Sequence, residues 1–206
     1  MRTKYLAALA AATAFAAPAL AQADAPFTGP KIEALTGYDR LNPRGQPQAD
    51  GLLYGIGLGY DFQAGGAILG VEGEVMGSTA KVTDNNLLVA GDQYRERAAR
   101  DFYIGGRVGV AATPSTLVYA KAGYTNFRVS STYTAPAIGS FGERADLDGY
   151  RLGVGVEQKF NLFGPSGYIK AEYRYSHYKN ATFADDTTDQ VHLTRHQGVV
   201  GIGVRF

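Results

Sequence analysis

From Leu52 to Phe62 every even position is large and apolar or aromatic (Leu52, Tyr54, Ile56, Leu58, Tyr60, Phe62), while odd positions 55, 57 and 59 are glycine and 61 is aspartate. Successive residues of a strand point to opposite faces, so this run predicts a strand with one greasy and one small or polar face. The same alternation sets Phe102, Ile104, Val108 and Val110 against Tyr103, Gly105, Arg107 and Gly109. It sets Tyr150, Leu152, Val154 and Val156 against Arg151, Gly153, Gly155 and Glu157, and Val200, Ile202, Val204 and Phe206 against Gly201, Gly203 and Arg205. Four less regular segments, 31–39, 67–77, 117–130 and 167–179, bring the expected strands to eight. Each holds about nine residues or more, the length a tilted strand needs to cross hydrocarbon, whereas soluble strands run nearer five or six.

The connections alternate in length. Short turns are expected at 63–66, 113–116 and 161–166, the last around Gly164-Pro165. Long polar connections are expected at 40–50, 78–100, 131–145 and 180–192. Brief turns on one side and long loops on the other are the plan of an outer-membrane barrel, with both chain ends on the turn side. The expected fold is therefore all-β, an eight-stranded antiparallel up-and-down transmembrane β-barrel.

Charge placement sets the orientation. Opposite the apolar positions lie Glu33, Asp61, Glu72, Glu74, Arg107, Lys121, Arg151, Glu157, Lys159, Lys170, Glu172, Arg174 and Arg205. Their signs nearly cancel, and eight strands enclose a lumen just wide enough for side chains to fill. They are expected to interlock there as ion pairs, since buried charge is tolerable only when paired. Aromatics fall at the ends of the apolar faces: Tyr38, Tyr54, Phe102 and Tyr150 toward the loops, Tyr60, Phe62, Phe160 and Phe206 toward the turns. Two girdles at the headgroup levels are implied. A soluble periplasmic barrel, apolar face inward around an apolar ligand, is the competing arrangement.

Composition adds three constraints. Arg2 and Lys4 precede an Ala/Leu-rich run that ends at Ala21-Gln22-Ala23, so residues 1–23 are expected to be a secretory signal peptide and 24–206 the barrel domain; cleavage after Ala19-Leu20-Ala21 is the alternative. Of the 20 basic residues, those two leave with the leader, so 18 remain against 19 acidic, and no nucleic-acid footprint is visible. There is no cysteine, which removes disulfides and thiolate metal sites, and the 27 glycines and 14 tyrosines suit tightly packed strands.

Several short stretches then resemble one family. Gly70-Val71-Glu72-Gly73-Glu74, Gly106-Arg107-Val108-Gly109, Tyr119-Ala120-Lys121-Ala122-Gly123-Tyr124, Gly153-Val154-Gly155-Val156-Glu157, Lys170-Ala171-Glu172-Tyr173-Arg174-Tyr175 and Val204-Arg205-Phe206 are similar, in that order, to the opacity-protein and porin-like outer-membrane β-barrels. The resemblance covers essentially the whole mature chain and implies a small surface-antigen barrel, delivered through the periplasm and inserted by the outer-membrane assembly machinery. It also implies an insertion signal at Gly201, Val204 and Phe206, with valine where an aromatic is commoner. Outer-membrane lipid and lipopolysaccharide are then the expected surroundings, and the four external loops the expected working surface.

Catalytic chemistry finds little purchase. Ser176, His177, Asp185, Asp186, His192 and His196 are the candidates for a lipid hydrolase or protease at the external rim, but Ser176 and His177 are adjacent and so face opposite ways along a strand. The three histidines do not have zinc spacing, and Asp185, Asp186 and Asp189 would hold calcium only in a loop folded around it. Gly55, Gly57 and Gly59 lie inside a strand, which excludes a phosphate loop. No catalytic residue, metal or cofactor is expected. Arg95, Glu96, Arg97 and Arg100 form a locally basic stretch suited to contact with acidic lipopolysaccharide.

Overall fold

Alternation carries through into nine strand segments: β1 (Gly29–Pro43), β2 (Ala49–Ala64), β3 (Ala67–Ser78), β4 (Lys81–Asn85), β5 (Gln93–Thr113), β6 (Thr116–Ala135), β7 (Gly139–Phe160), β8 (Gly167–Phe183) and β9 (Thr188–Arg205). The computed structural model describes residues 27–43, 48–85, 89–136, 139–160, 167–183 and 188–206. The expected leader, its cleavage sites and the turn at 161–166 lie outside them.

Every pairing is antiparallel. β1 pairs with β2 on one side and β9 on the other, the chain-order neighbours from β5 to β9 pair in turn, and β3 pairs with both β2 and β5. The sheet thus closes on itself, leaving no open edge in the ring. β4 is the outer continuation of β3 past a break at Thr79 and Ala80, where the Thr79 N–H donates to the Leu52 carbonyl at 2.9 Å. Eight barrel strands result, one of them in two pieces. At the tight turn joining β2 to β3, Gly65 has φ 63°, a left-handed conformation that costs glycine no steric penalty.

The strands are longer than the alternation of the sequence suggests. β5, β6 and β7 run 21, 20 and 22 residues, about twice the 9–11 that span a membrane. Much of what reads as long polar loops is strand: β4 pairs with β5 inside the 78–100 connection, and β6 with β7 from Ser131↔Glu143 to Ala135↔Gly139 inside the 131–145 connection. In water both faces of such a strand accept polar side chains, so the greasy alternation that marks membrane strands is absent there. Beyond the ring, β4 and the outer parts of β5, β6 and β7 form a projecting four-stranded sheet.

The wall changes polarity along its length. Ile104, Val108, Val118, Val154, Val156 and Ile202 face outward and are exposed on the membrane belt. Continuing along the outer face, Tyr124 and Tyr150 give way to Asn126 and Asp148, then to Arg128, Arg100 and Asp146. The interior inverts in step. Above the belt it holds Leu41, Ala80, Phe127, Leu147, Tyr178, Ala181 and Leu193, a hydrophobic cluster of the kind found inside water-soluble barrels. Within the belt it is mostly charged, with a small apolar cluster of Leu35, Leu53, Met76 and Val199 among the charges. At the turn end Phe27, just ahead of β1, is fully buried with Ile68, Leu117 and Tyr119 and closes the lumen from below.

Candidate functional site

Eight carboxylates and eight bases are buried along the lumen among the described residues: Glu33, Asp39, Asp61, Glu72, Glu74, Asp101, Glu157 and Glu172 with Lys31, Arg107, Lys121, Arg151, Lys170, Arg174, Arg195 and Arg205. Each comes from an inward position of its strand, and they meet in three layers. Nearest the turns, Arg107 on β5 grips Asp61 on β2 through Nε at 2.7 Å and Nη2 at 2.5 Å, and reaches Glu157 on β7 at 3.1 Å. Arg205 on β9 touches the same two carboxylates at 2.9 and 2.7 Å.

In the middle layer Glu72, Glu74 and Glu172 bring carboxylate oxygens within 4.8 Å of one another, a donor set that suits a hard cation. That seat is filled by the protein: the Lys121 ammonium lies 2.6, 2.8 and 3.3 Å from the three. Arg174 adds a bond to Glu74 at 2.8 Å and further bonds to Glu172, while Lys170 joins Glu33 at 2.7 Å. Tyr168 donates to Glu33 and Tyr119 to Glu172, each at 2.8 Å. Above them Arg195 clasps Asp39 at 2.7 and 2.8 Å and shares Asp101 with Arg151, at 2.7 and 2.6 Å. Charge-assisted and often two-pronged, these bonds are the strong kind.

Glycines opposite the long side chains leave them room. An ideal Cβ on Gly70 would lie 2.0 Å from Asp61 Oδ1 and 3.1 Å from Arg107 Cγ, so any side chain there displaces the turn-side layer.

Twelve of the thirteen charges expected in the lumen are buried inside it; Lys159 is half-buried at the turn-side mouth, its ammonium 5.1 Å from the Phe27 ring center. Of the expected girdles, Tyr38, Tyr54, Phe102 and Tyr150 are exposed on the outer face at the loop end, Phe62 and Phe206 at the turn end, and Tyr60 and Phe160 are half-buried. Tyr168 is an interior residue. In the expected insertion signal, Gly201 packs beside Leu35 and Lys170, Val204 pairs with Ile32, and the Phe206 N–H donates to the Pro30 carbonyl at 2.9 Å. Lys31, Asp39, Asp101 and Arg195 were not anticipated. All four continue the inward phase of the expected charges by even offsets, from Glu33, Arg107 and Arg205: Lys31 and Asp39 stand within the expected 31–39 strand, and Asp101 and Arg195 lie just ahead of the strands expected around them.

The hydrolase candidates are dispersed. Ser176 is fully buried and accepts from Arg151 Nε at 2.9 Å, while His177 is on the outer side against Tyr150, ring centers 5.6 Å apart. His192 lies 6.5 Å from His177, and His196 Nδ1 is 2.7 Å from the Tyr173 hydroxyl. Asp185, Asp186 and the side chain of Asp189 lie outside the described residues. Gly55, Gly57 and Gly59 are interior to β2. A charged lumen also removes the apolar cavity that a soluble ligand-binding barrel would need.

On the projecting sheet, Arg128 binds Asp146 at 2.7 and 2.6 Å, and its hydrogen bonds hold that carboxyl below the usual carboxylate range. Glu96 behaves oppositely, because burial pushes its pKa up. Of the basic stretch, Arg95 and Arg97 lie on the outer face and Glu96 on the other, while Arg100 stacks 4.2 Å over the Phe102 ring. A groove of about 1120 Å³ lies against the sheet and draws on both of its faces, with Arg97, Ser130 and Arg144 from one and Tyr133, Phe141 and Glu143 from the other.

A family model described as the outer membrane protein beta-barrel domain matches residues 7–206. Among solved structures, the chain is similar to Neisserial surface protein A, with 13% identity and a TM-score of 0.55 over 87% of this chain and 98% of that one. It is also similar to a major outer membrane protein of Thermus thermophilus, with 14% identity and a TM-score of 0.50 over 86% and 99%. No curated protein matches the sequence significantly.

Proposed function

The chain belongs to the outer membrane protein β-barrel domain family and resides in the outer membrane, and from that premise we propose that it is a non-conducting anchor holding its projecting sheet outside the cell. The balance of eight acids against eight bases buried in the lumen, among the described residues, carries the reading. Among the described residues every lumen charge has an opposite partner, so an ion entering would have to break a pair in a poorly hydrated interior, which is costly. Apolar closure by Phe27 below and by the Leu41, Phe127, Leu147, Leu193 cluster above supports the same reading. With no current to carry, the working part is the surface beyond the membrane, where β4 to β7 reach furthest.

Planar-bilayer recording of the refolded protein tests the closed lumen: flat traces are expected, and a large, stable conductance would reject it. Protease treatment of whole cells tests the exposure. Cleavage is expected in the connections between β4 and β5 and between β6 and β7; resistance there, with cleavage only after the outer membrane is opened, would place the sheet on the periplasmic side.

A further inference from the structure

The projecting sheet segregates its charge by face. Cross-strand partners share a face, and the register aligns Lys81 with Arg97, Arg97 with Ser130, and Ser130 with Arg144. Those three bases form one row across four strands, on the face continuous with the lipid-facing wall. The next row outward is Thr83, Arg95, Thr132 and Gly142. The acids take the other side: Glu96 aligns with Val82 and Ser131, Glu143 with Ser131, and Asp84 with Tyr94.

The carboxylates that do lie on the outer face are already used. Asp146 is held by Arg128, and Asp148 accepts from Asn126 at 2.9 Å and from the Tyr124 hydroxyl. Among the described residues no carboxylate comes within ion-pair distance of Lys81, Arg95, Arg97 or Arg144. Arg95 Nε is buried with no hydrogen-bond partner, as is Arg100 Nε.

Height above the bilayer identifies what this face meets. Tyr124 and Tyr150 sit side by side at the external end of the apolar belt, where rings mark the headgroup boundary. Ser130 is six residues further along β6, so at about 3.4 Å per residue and a tilt near 40° the basic row stands roughly 15 Å higher. Phospholipid phosphates lie below that level. The phosphorylated and carboxylated sugars of an outer-leaflet glycolipid reach it, and the hydroxyls of Ser130, within the row, and Thr132, in the next one, add hydrogen-bonding groups for sugars on the same face.

We propose that Lys81, Arg97 and Arg144, with Arg95 behind them, form a binding face for the acidic core saccharide of lipopolysaccharide molecules that surround the barrel. The proposal rests on the external placement of the sheet given above. It makes the glycolipid a lateral ligand of the sheet, tying neighbouring lipids to the protein by their sugars as well as by their chains.

The test uses the full mature chain in zwitterionic nanodiscs, titrated with rough lipopolysaccharide carrying a phosphorylated core and, separately, with lipid A lacking core sugars. Lys81→Gln/Arg97→Gln/Arg144→Gln is compared with Asp84→Asn/Glu143→Gln on the opposite face, and each must keep the heat-dependent gel shift of a folded barrel. Tight binding of rough lipopolysaccharide is expected, weakened roughly 100-fold in the triple variant at about fivefold per charge, with no loss in the opposite-face variant. Equal affinity for lipid A alone, an unaffected triple variant, or equal loss from the opposite face would each overturn the proposal. Free sulfated or phosphorylated oligosaccharide binding as tightly as the glycolipid would also overturn it, by making the ligand a soluble polyanion. Protease mapping of the triple variant on cells reports sheet exposure independently, so a failure of external placement is told apart from a failure of binding.

Discussion

Replacing Arg174 by methionine tests whether the lumen is held by its ion pairs. The guanidinium is fully buried, bonds Glu74 at 2.8 Å and Glu172 through two nitrogens, and places Nη1 3.1 Å from the Met76 sulfur. Methionine has similar volume and would pack against Met76, so the loss is electrostatic rather than a cavity. It strands two carboxylates whose remaining nearby cations are Lys121, at 2.8 and 3.3 Å, Lys170, at 3.9 and 3.3 Å, and Arg151, 3.8 Å from Glu74. Removing one partner of a buried pair costs about 3–5 kcal/mol, roughly two to three and a half orders of magnitude in the folding equilibrium. Part of that returns if the excess charge is removed too, so Arg174→Met/Glu172→Gln is expected to be more stable than Arg174→Met. Urea titration in lipid vesicles, read by the gel mobility of unheated samples, measures both. A loss below about 1 kcal/mol for the single variant, or a double variant no better than the single, would refute the view that these charges are paired in a dry interior.

Two further outcomes follow from side-chain geometry. Gly70→Val drives a methyl into Asp61 and Arg107, and overpacking of this kind costs about 1–3 kcal/mol; an unchanged urea midpoint would show that the turn-side layer is loose. Glu96 binds its proton more tightly folded than unfolded, so its burial costs nothing at low pH and destabilises as pH climbs from the ordinary glutamate value through the raised one. Glu96→Gln should therefore slow proteolysis of the projecting sheet at pH 7 and make no difference at pH 4, and a variant indistinguishable at both would remove the burial argument.

The barrel was legible because hydrocarbon outside and a charged lumen inside impose opposite demands on neighbouring residues. Leu52 to Phe62 and Tyr150 to Glu157 state that contrast at every step. It fades beyond the girdles, which is why strands were expected to stop near Asp39 and Phe102 and why Asp101 and Arg195 were passed over. Between 93 and 98 the chain reads Gln-Tyr-Arg-Glu-Arg-Ala, polar on both faces, and only pairing with β4 and β6 makes it a strand. Segregation of Arg95 and Arg97 from Glu96 is already period two, but without a register no sequence argument aligns Lys81, Arg97 and Arg144. Phe27 lies ahead of the first strand, where nothing in the alternation marks a residue that folds inward.

The lumen pairs join distant parts of the chain: Asp39 to Arg195, Glu33 to Lys170, Asp61 to Arg205. Glu33 and Asp39 of β1 wait for bases on the two closing strands, and Asp61, gripped by Arg107 on β5, completes its contacts only with Arg205. A half-built sheet entering the bilayer would drag naked charges into oil, so lipid insertion and ring closure have to occur as one event. Truncated or stalled chains should accordingly remain on the water side, in the care of whatever holds them, rather than lodge partway through the membrane.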